Sequence, residues 1–367
     1  MSTSELKSLY RGIFPLLSIG LAAITIVAAF SGYFHPQNAP LMSTLGLAVP
    51  ALLLANAITG ICWLFGSRKR WALLPLVALL FNSNYLLSVF QLNLFTPGQP
   101  QLKIASYNIQ HFGSEITGYS AKRLAAYLEQ EQVDILCFQE FSASRYYPID
   151  SIRRVFAHWQ HVMLPAQDSI RGVLPIAVFS RYPLINGRFI GFNESANCSM
   201  LCDIVLPDDT LRLFNNHLQT TSVNQSRRRL ERGLSTGDRR REVQAVQSFT
   251  GALQSNDMKR AAQTDSIVKL IQASPYPVLA CGDFNSLPSS YTYRQMHKVL
   301  EDGFRTAGCG YMSTFRYYKG MLRIDYIFHS PTLKGCDYES PDVIEIAGMA
   351  KDFSDHNPVI MSLKYKE

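Results

Sequence analysis

Charge is nearly absent from the first hundred residues of this 367-residue chain. No Asp, Glu, Lys or Arg stands between Arg11 and Arg68, and none stands between Arg70 and Lys103. Each gap has room for at least one membrane span of roughly 20 residues. The apolar runs predict spans at about Ile13–Phe34, Leu41–Phe65 and Trp71–Phe90, the last one carrying Asn82 and Asn84, whose amides need partners in lipid. A cleaved signal peptide is the alternative for the first span, since Lys7 and Arg11 precede it and Ala28-Ala29 follows. The second apolar run, which follows at once, favours an anchor.

A CxxC pair is also missing from the seven cysteines, which argues against a zinc site. Cys137 and Cys281 lie in apolar runs and read as small core residues, whereas Cys198 and Cys202 could pair if the domain is exported. A strongly basic surface is lacking too. Of the net charge of +7, residues 1–100 supply +4 (five Lys/Arg against one acid), leaving +3 for the remainder. That excess is too small for a dedicated DNA-binding face. It serves topology instead: Lys7, Arg11 and Arg68-Lys69-Arg70 flank the apolar runs, while the Gly32–Pro40 loop has no Lys or Arg. The positive-inside rule then puts the N-terminus and the Arg68 loop in the cytoplasm, and three spans put everything after residue 95 outside it. Were Trp71–Phe90 not to cross, the remainder would be cytoplasmic.

Beyond a Pro/Gly-rich linker, Thr96-Pro97-Gly98-Gln99-Pro100, the pattern changes to short apolar strands that end on polar residues. Pro277-Val278-Leu279-Ala280 runs into Cys281-Gly282-Asp283-Phe284-Asn285, and Ser354-Asp355-His356 precedes the alternating Val359–Leu363. Lys103–Tyr107 ends at Asn108, Asp134–Phe138 at Gln139-Glu140, and Leu211–Asn215 at Asn216-His217; Asp325 lies within Arg323–Phe328. Pro175–Ser180 is a further strand, Ser120 is a candidate N-cap for a helix bearing Leu124, Ala125 and Leu128, and residues 221–275 read as helical. Many strands and few long helices suggest an α+β sandwich of two sheets covered by helices. One acid after a strand is usually a turn-maker, but so many polar strand ends on one side build a single site. Acids that can hold a metal or a water, beside a histidine that can bond a phosphoryl oxygen, suit metal-assisted phosphate chemistry.

Taken in order, Ser106-Tyr107-Asn108, Gln139-Glu140, Asn216-His217-Leu218, Gly282-Asp283-Phe284-Asn285, Arg323-Ile324-Asp325-Tyr326 and Ser354-Asp355-His356 resemble the endonuclease/exonuclease/phosphatase (DNase I-like) superfamily. The resemblance runs from about Leu102 to Lys364 and leaves the apolar region uncovered, although membrane-anchored bacterial members look similar. It implies a four-layer α/β sandwich and dependence on Mg²⁺ or Mn²⁺. By the same resemblance Glu140 would be the principal metal ligand, with Asn108 and Asp355 beside the ion, and hard oxygen ligands suit Mg²⁺. Asp283 would orient or deprotonate the attacking water, and Asn285 would hold water or phosphate. His356, oriented by Asp325, would bond a non-bridging oxygen, a carboxylate fixing the tautomer of the imidazole. His217 would be a second phosphate contact or the acid for the leaving oxygen.

There are departures. The DNase I-like branch has an acid in the strand before Phe179-Ser180 that partners the second histidine, and Val173–Ser180 here has none, which weakens the case for His217 as a polarised acid. Abasic-site repair is disfavoured because that branch carries other residues at Asn216-His217.

The chain is thus expected to comprise an anchor of about three transmembrane helices (1–95), a linker (96–101) and a catalytic domain (102–367). The expected activity is hydrolysis of a phosphoester, whether a phospholipid headgroup, a small phosphoester or extracellular nucleic acid, with the bilayer as the other partner. A catalytically silent, membrane-anchored binding or scaffold protein is the alternative, and the presence of Glu140, Asp283, Asp325 and His356 weighs against it. Thr221–Ala262, with nine Lys/Arg against four acids, reads as a solvated helical surface or as a contact for anionic phosphates or lipid heads. It lacks the interleaved aromatics of a single-strand binder.

Overall fold

The computed structural model describes residues 3–93, 99–114, 116–166, 175–221, 231, 238–317 and 320–366. The chain forms two compact units. One comprises Met1–Leu87, Asn224–Met258 and Leu287–Arg294; the other comprises Ser88–Val223, Lys259–Ser286 and Gln295–Glu367.

In the first unit, Thr3–Ala28 is helical and Gly12–Tyr33 is long and apolar enough to cross a membrane. The other two apolar runs form broken helices: Pro40–Leu47 with Val49–Phe65, bent by 55°, and Lys69–Phe81 with Ser83–Val89, bent by 65°. The described residues therefore hold one candidate span, or up to three if each bent pair is a single span. Several of their buried donors are met internally, while Asn56 Oδ1 and Asn82 Oδ1 have no hydrogen-bond partner among the described residues. Asn82 Nδ2 donates to the carbonyls of Thr25 and Ala78 at 3.0 Å each, Asn56 Nδ2 to Thr25 Oγ1 at 2.7 Å, and Trp63 Nε1 to Ser18 Oγ at 3.0 Å. The turn after the first helix packs on segments from much later in the chain. Ser31 Oγ donates to the Ser289 carbonyl (2.8 Å), Ser289 Oγ to the Gly46 carbonyl (2.7 Å) and Gln254 Nε2 to Thr44 Oγ1 (3.2 Å), while the Arg294 guanidinium lies 3.2 Å from the Tyr33 ring centre. Gly32 permits this approach, because a Cβ there would sit 2.7 Å from the Ser290 carbonyl oxygen.

The second unit is a sandwich of two mixed six-stranded sheets. In spatial order, one sheet runs Leu333–Glu339, Val359–Tyr365, Leu102–Asn108, Ile135–Gln139, Ala177–Ser180, His161–Met163. The other runs Glu301–Asp302, Asp325–His329, Val278–Asp283, Thr210–His217, Cys198–Val205, Leu184–Gly191. Alternation fills the core. Ile104, Ile135, Cys137, Val178 and Met361 face Cys198, Met200, Leu213, Cys281 and Ile327 between the sheets. Ala105, Leu136, Phe138, Phe179 and Ile360 turn the other way, against Leu124, Ala125 and Leu128 of the helix Tyr119–Gln130. Strands buried on both faces read as continuous apolar runs, which is how they stand in the sequence.

Some local expectations are revised. The N-cap of Tyr119–Gln130 is Gly118, with φ +70°; Ser120 is inside the helix, where its Oγ accepts the Ala350 N–H at 3.1 Å. Cys198 and Cys202 lie on one strand, ~13 Å apart at the usual rise per residue. That is too far for a disulfide, and both are buried in the core. The helix expected over 221–275 is Arg239–Gln272; residues 222–230 and 232–237, with the Arg227-Arg228-Arg229 triplet, lie outside the described residues, as do Thr96, Pro97 and Gly98 of the linker and Val173-Leu174. The second unit starts earlier than the linker: Phe90–Leu92 pairs antiparallel with Cys309–Tyr311.

Candidate functional site

Register brings the polar strand ends together. His217 stands opposite Asp283 on the neighbouring parallel strand, and Asp283 stands opposite Asp325 on the next, antiparallel one. Three adjacent strands therefore present three ionisable groups in a row at the ~4.8 Å strand spacing. Gly282 makes the approach possible: its φ is +133°, and a Cβ there would lie 1.9 Å from the Asn216 carbonyl oxygen. From the facing sheet, Asn108 aligns with Gln139, placing it beside Glu140. Asn108 Nδ2 reaches across to Asp283 Oδ2 at 3.1 Å and to Glu140 Oε1 at 3.3 Å.

The final loop completes the cluster. Ser354 Oγ donates to the Asn108 carbonyl (2.6 Å) and accepts the His356 N–H (3.0 Å), which fixes Asp355-His356 beside Asn108. His356 Nδ1 donates to Asp325 Oδ2 at 2.9 Å, leaving Nε2 3.7 Å from both Asp283 and Asp355. The N–H groups of Ile324 and Asp325 donate to Thr314 Oγ1, and the Phe315 ring lies edge-on to His356 with centres 5.1 Å apart. His217 is fully buried and neither ring nitrogen is hydrogen-bonded among the described residues; Nε2 sits 3.7 Å from Asp283 and 3.8 Å from Glu140. Asn285 is less directly placed. Its backbone N–H donates to Asp283 Oδ1 (2.8 Å), but its side-chain amide donates to the Leu218 carbonyl (3.1 Å) and so holds the loop that follows His217.

Burial and neighbours drive the protonation of these groups apart. Burial pushes His217 down to about 4, against the pull of Asp283. At His356 burial works the same way but is outweighed by Asp325, Asp283 and Asp355, which hold the imidazolium up to about 10. Burial, with Asp325 nearby, lifts Asp283 to about 6 although His356 opposes it. Asp355 is raised by burial and, against His356, by Glu140. A neutral and a charged imidazole thus flank a carboxylate poised near neutrality.

Sequence reasoning missed His111. Its Nδ1 is 2.8 Å from Ser142 Oγ and its Nε2 is 3.7 Å from Glu140 Oε2. It stands in a run of left-handed residues, Gln110, His111, Phe112 and Gly113, with φ of 44°, 55°, 56° and 60°. Glu140 is itself left-handed, with φ +51°. The run is secured by Phe112, whose buried ring lies 5.5 Å from Phe141, 5.6 Å from Tyr147 and 6.2 Å from Phe353. The signal available was a histidine three residues after Asn108, without a glycine to announce the turn before Gly113.

The donors present suit a hard divalent cation. Glu140, Asp283, Asp325 and Asp355 converge here, and Asp283 and Asp355 are raised first by burial and then by the neighbouring acids Asp325 and Glu140, a charge that a cation would offset. Ligand atoms of Asp283, Asp325 and His356 lie within 4.8 Å of one another. This grouping differs from the expected Asn108, Glu140 and Asp355. Because Asp325 and His356 already satisfy each other by a 2.9 Å hydrogen bond, the Glu140 side is the more available.

Comparison with known proteins bears on the fold and the family. Among solved structures, an endonuclease/exonuclease/phosphatase from Bacteroides vulgatus aligns over 72% of this chain and 99% of its own at 15% identity, with a TM-score of 0.52. D. rerio TDP2 complexed with single strand DNA product aligns over 72% and 98% at 14% identity (TM-score 0.50), and the human Nocturnin catalytic domain with bound sulfate over 74% and 96% at 14% (TM-score 0.49). No curated protein matches. Residues 11–89 match a sequence profile described as a domain of unknown function (DUF8431). Residues 105–356 match that of the Endonuclease/Exonuclease/phosphatase family, to which this chain therefore belongs.

Proposed function

We propose that the chain is a membrane-anchored, divalent-metal-dependent hydrolase of phosphoesters. The observation that carries this reading is the row His217, Asp283, Asp325 joined by Asn108 to Glu140, with His356 held on Asp325. Glu140, Asn108 and Asp355 would hold Mg²⁺ or Mn²⁺, which would neutralise phosphoryl charge and orient water when bound. Asp283, raised toward neutrality, suits a base for the attacking water. His356, kept protonated by Asp325, offers Nε2–H to a non-bridging oxygen as negative charge builds. His217, neutral and without a hydrogen-bond partner among the described residues, is suited to contact the phosphoryl group or the leaving oxygen rather than to act as a strong acid. Asn285 supports the loop after His217.

The anchor reading rests on the Gly12–Tyr33 helix and the two bent apolar pairs. An extracytoplasmic catalytic domain is supported by the basic residues at the other helix ends. The test is hydrolysis of bis-p-nitrophenyl phosphate by the full chain with added Mg²⁺. Wild type should turn over, and Glu140→Gln should lose most activity together with Mg²⁺ affinity measured by calorimetry. Near wild-type turnover of Glu140→Gln at saturating Mg²⁺ would sink the metal assignment. For topology, alkaline phosphatase fused after residue 100 should be active and a fluorescent-protein fusion dark.

A further inference from the structure

The helix Arg239–Gln272 keeps one face through its length but covers only part of it. Leu253, Asp257, Arg260, Thr264, Ile267 and Ile271 recur at spacings of three and four and are buried. Continued toward the N-terminus, the same stripe reaches Thr250, Val246 and Val243, and there it is bare: Val246 is 45% exposed and Val243 49%. The stretch opens with Arg239, Arg240 and Arg241, all exposed, beside the exposed Asp238, which accepts the Arg240 N–H as a cap, and the half-buried Glu242. From Val243 to Asn256 there is no further charge. The face is mixed further along, at Asp257, Arg260 and Thr264, but at this end it offers two bare valines beside three exposed arginines, which a charged bilayer surface can accept.

Its position in the first unit fits that partner. Gln254 of this helix bonds Thr44, near the start of the second apolar run, and the neighbouring turn carries Ser31 near the end of the first candidate span. If those helices cross a bilayer, Thr44 and Ser31 mark one of its surfaces. At 1.5 Å rise per residue Val246 is then no more than ~12 Å along the helix from that level, and Arg239 no more than ~22 Å. We infer that Arg239–Thr250 docks on anionic lipid headgroups, Val243 and Val246 meeting the acyl boundary and the arginines the phosphates. The inference rests on the anchor reading above, and it makes a membrane-resident phosphoester the substrate class most accessible to the enzyme.

The test is hydrogen exchange of the full chain, one copy per nanodisc, in phosphatidylcholine alone and in phosphatidylcholine mixed with phosphatidylglycerol. Three arginines against two acids leave about one net charge, worth roughly fivefold at an anionic surface. Amides of 243–250 should therefore exchange roughly fivefold slower in the anionic discs, and high salt should reverse much of this. The triple variant Arg239→Glu/Arg240→Glu/Arg241→Glu should lose the difference while keeping turnover of bis-p-nitrophenyl phosphate, which also reports that it folds. Equal exchange in both discs, or slowing that the triple variant retains, overturns the inference. Protection that appears only when two copies share a disc also overturns it, because the occupant would then be a second chain. Failure of the hydrolysis reading would show as absent turnover in every disc and leave the exchange pattern unchanged.

Discussion

Replacing Arg323 by Met should destabilise the second unit by more than any single change at the catalytic cluster. Arg323 and Asp302 both have fully buried side chains. The guanidinium donates twice to the carboxylate (2.7 and 2.6 Å), once to the Ser88 carbonyl (2.7 Å) and once to Tyr338 Oη (3.2 Å), and it lies 4.5 Å from the Tyr326 ring centre. Removing it takes two charge-assisted hydrogen bonds from the buried Asp302 carboxylate, which keeps the Phe304 N–H cap at 3.0 Å, and takes this donor from the Ser88 carbonyl. Breaking a buried pair from one side typically costs ~3–5 kcal/mol. At roughly 2–4 °C per kcal/mol for a domain of this size, the melting temperature should fall by about 6–20 °C. The double variant Arg323→Met/Asp302→Asn is the discriminating experiment. Asparagine can still cap the helix Gly303–Ala307 but carries no charge, so it should recover more than half of the loss. The assay is thermal unfolding of the full chain in one detergent, checked by scan-rate independence. If Arg323→Met costs under ~1 kcal/mol, or if the double variant is no better than the single, the buried-charge reasoning is wrong.

Other outcomes follow from the site. Gly282→Ala should cut turnover at least ~10²-fold, because the methyl would collide with the Asn216 carbonyl and displace Asp283; normal kinetics would show that the strands give way freely. His356→Ala and Asp283→Asn should each cost ~10²–10⁴ in kcat, Asp325→Asn should cost less because it orients His356, and full additivity in double variants would contradict one shared site. His217 sets an acid limb. Its folded value of about 4 lies below the ordinary 6.5, so the unfolded chain takes up the proton first and stability is lost as pH falls from 6.5 toward 4. In metal-free urea titrations at pH 7.5 and pH 5, His217→Asn should therefore lose less stability between the two pH values than wild type, and an equal loss would refute the assignment.

Much of the fold was written in the strands buried on both faces. Ile135–Gln139 and Val278–Asp283 are continuous apolar runs bounded by turn residues, and their polar ends marked where side chains converge. Cys198–Val205 went unread although its alternation is clear, with Cys198, Met200, Cys202 and Ile204 on the core face. Leu184–Gly191 could not be read so easily, since Asn186-Gly187 breaks the alternation where its register shifts. Site membership was visible for Asp325 and His356, and their pairing was expected only through the family resemblance; its geometry depends on a loop anchored by Ser354 on the Asn108 carbonyl. Arg323 read as one more strand residue; only the structure pairs it with Asp302, a partner that no spacing rule points to.

The left-handed turn after Asn108 changes how mutational tolerance should be distributed. Left-handed backbone costs an L-residue roughly 1–2 kcal/mol, and Gln110, His111 and Phe112 each bear it. What keeps them there is largely the seat of one phenyl ring among Phe141, Tyr147 and Phe353. A library of variants screened for turnover should therefore find intolerant positions in that aromatic nest, none of which is itself among the ionisable groups of the site. Trimming Phe353 would let the turn relax toward ordinary backbone while the sheets stay folded. Trimming a buried ring also costs ~3–5 kcal/mol, so the protein would be less stable, and it would remain slow even under conditions in which it stays folded.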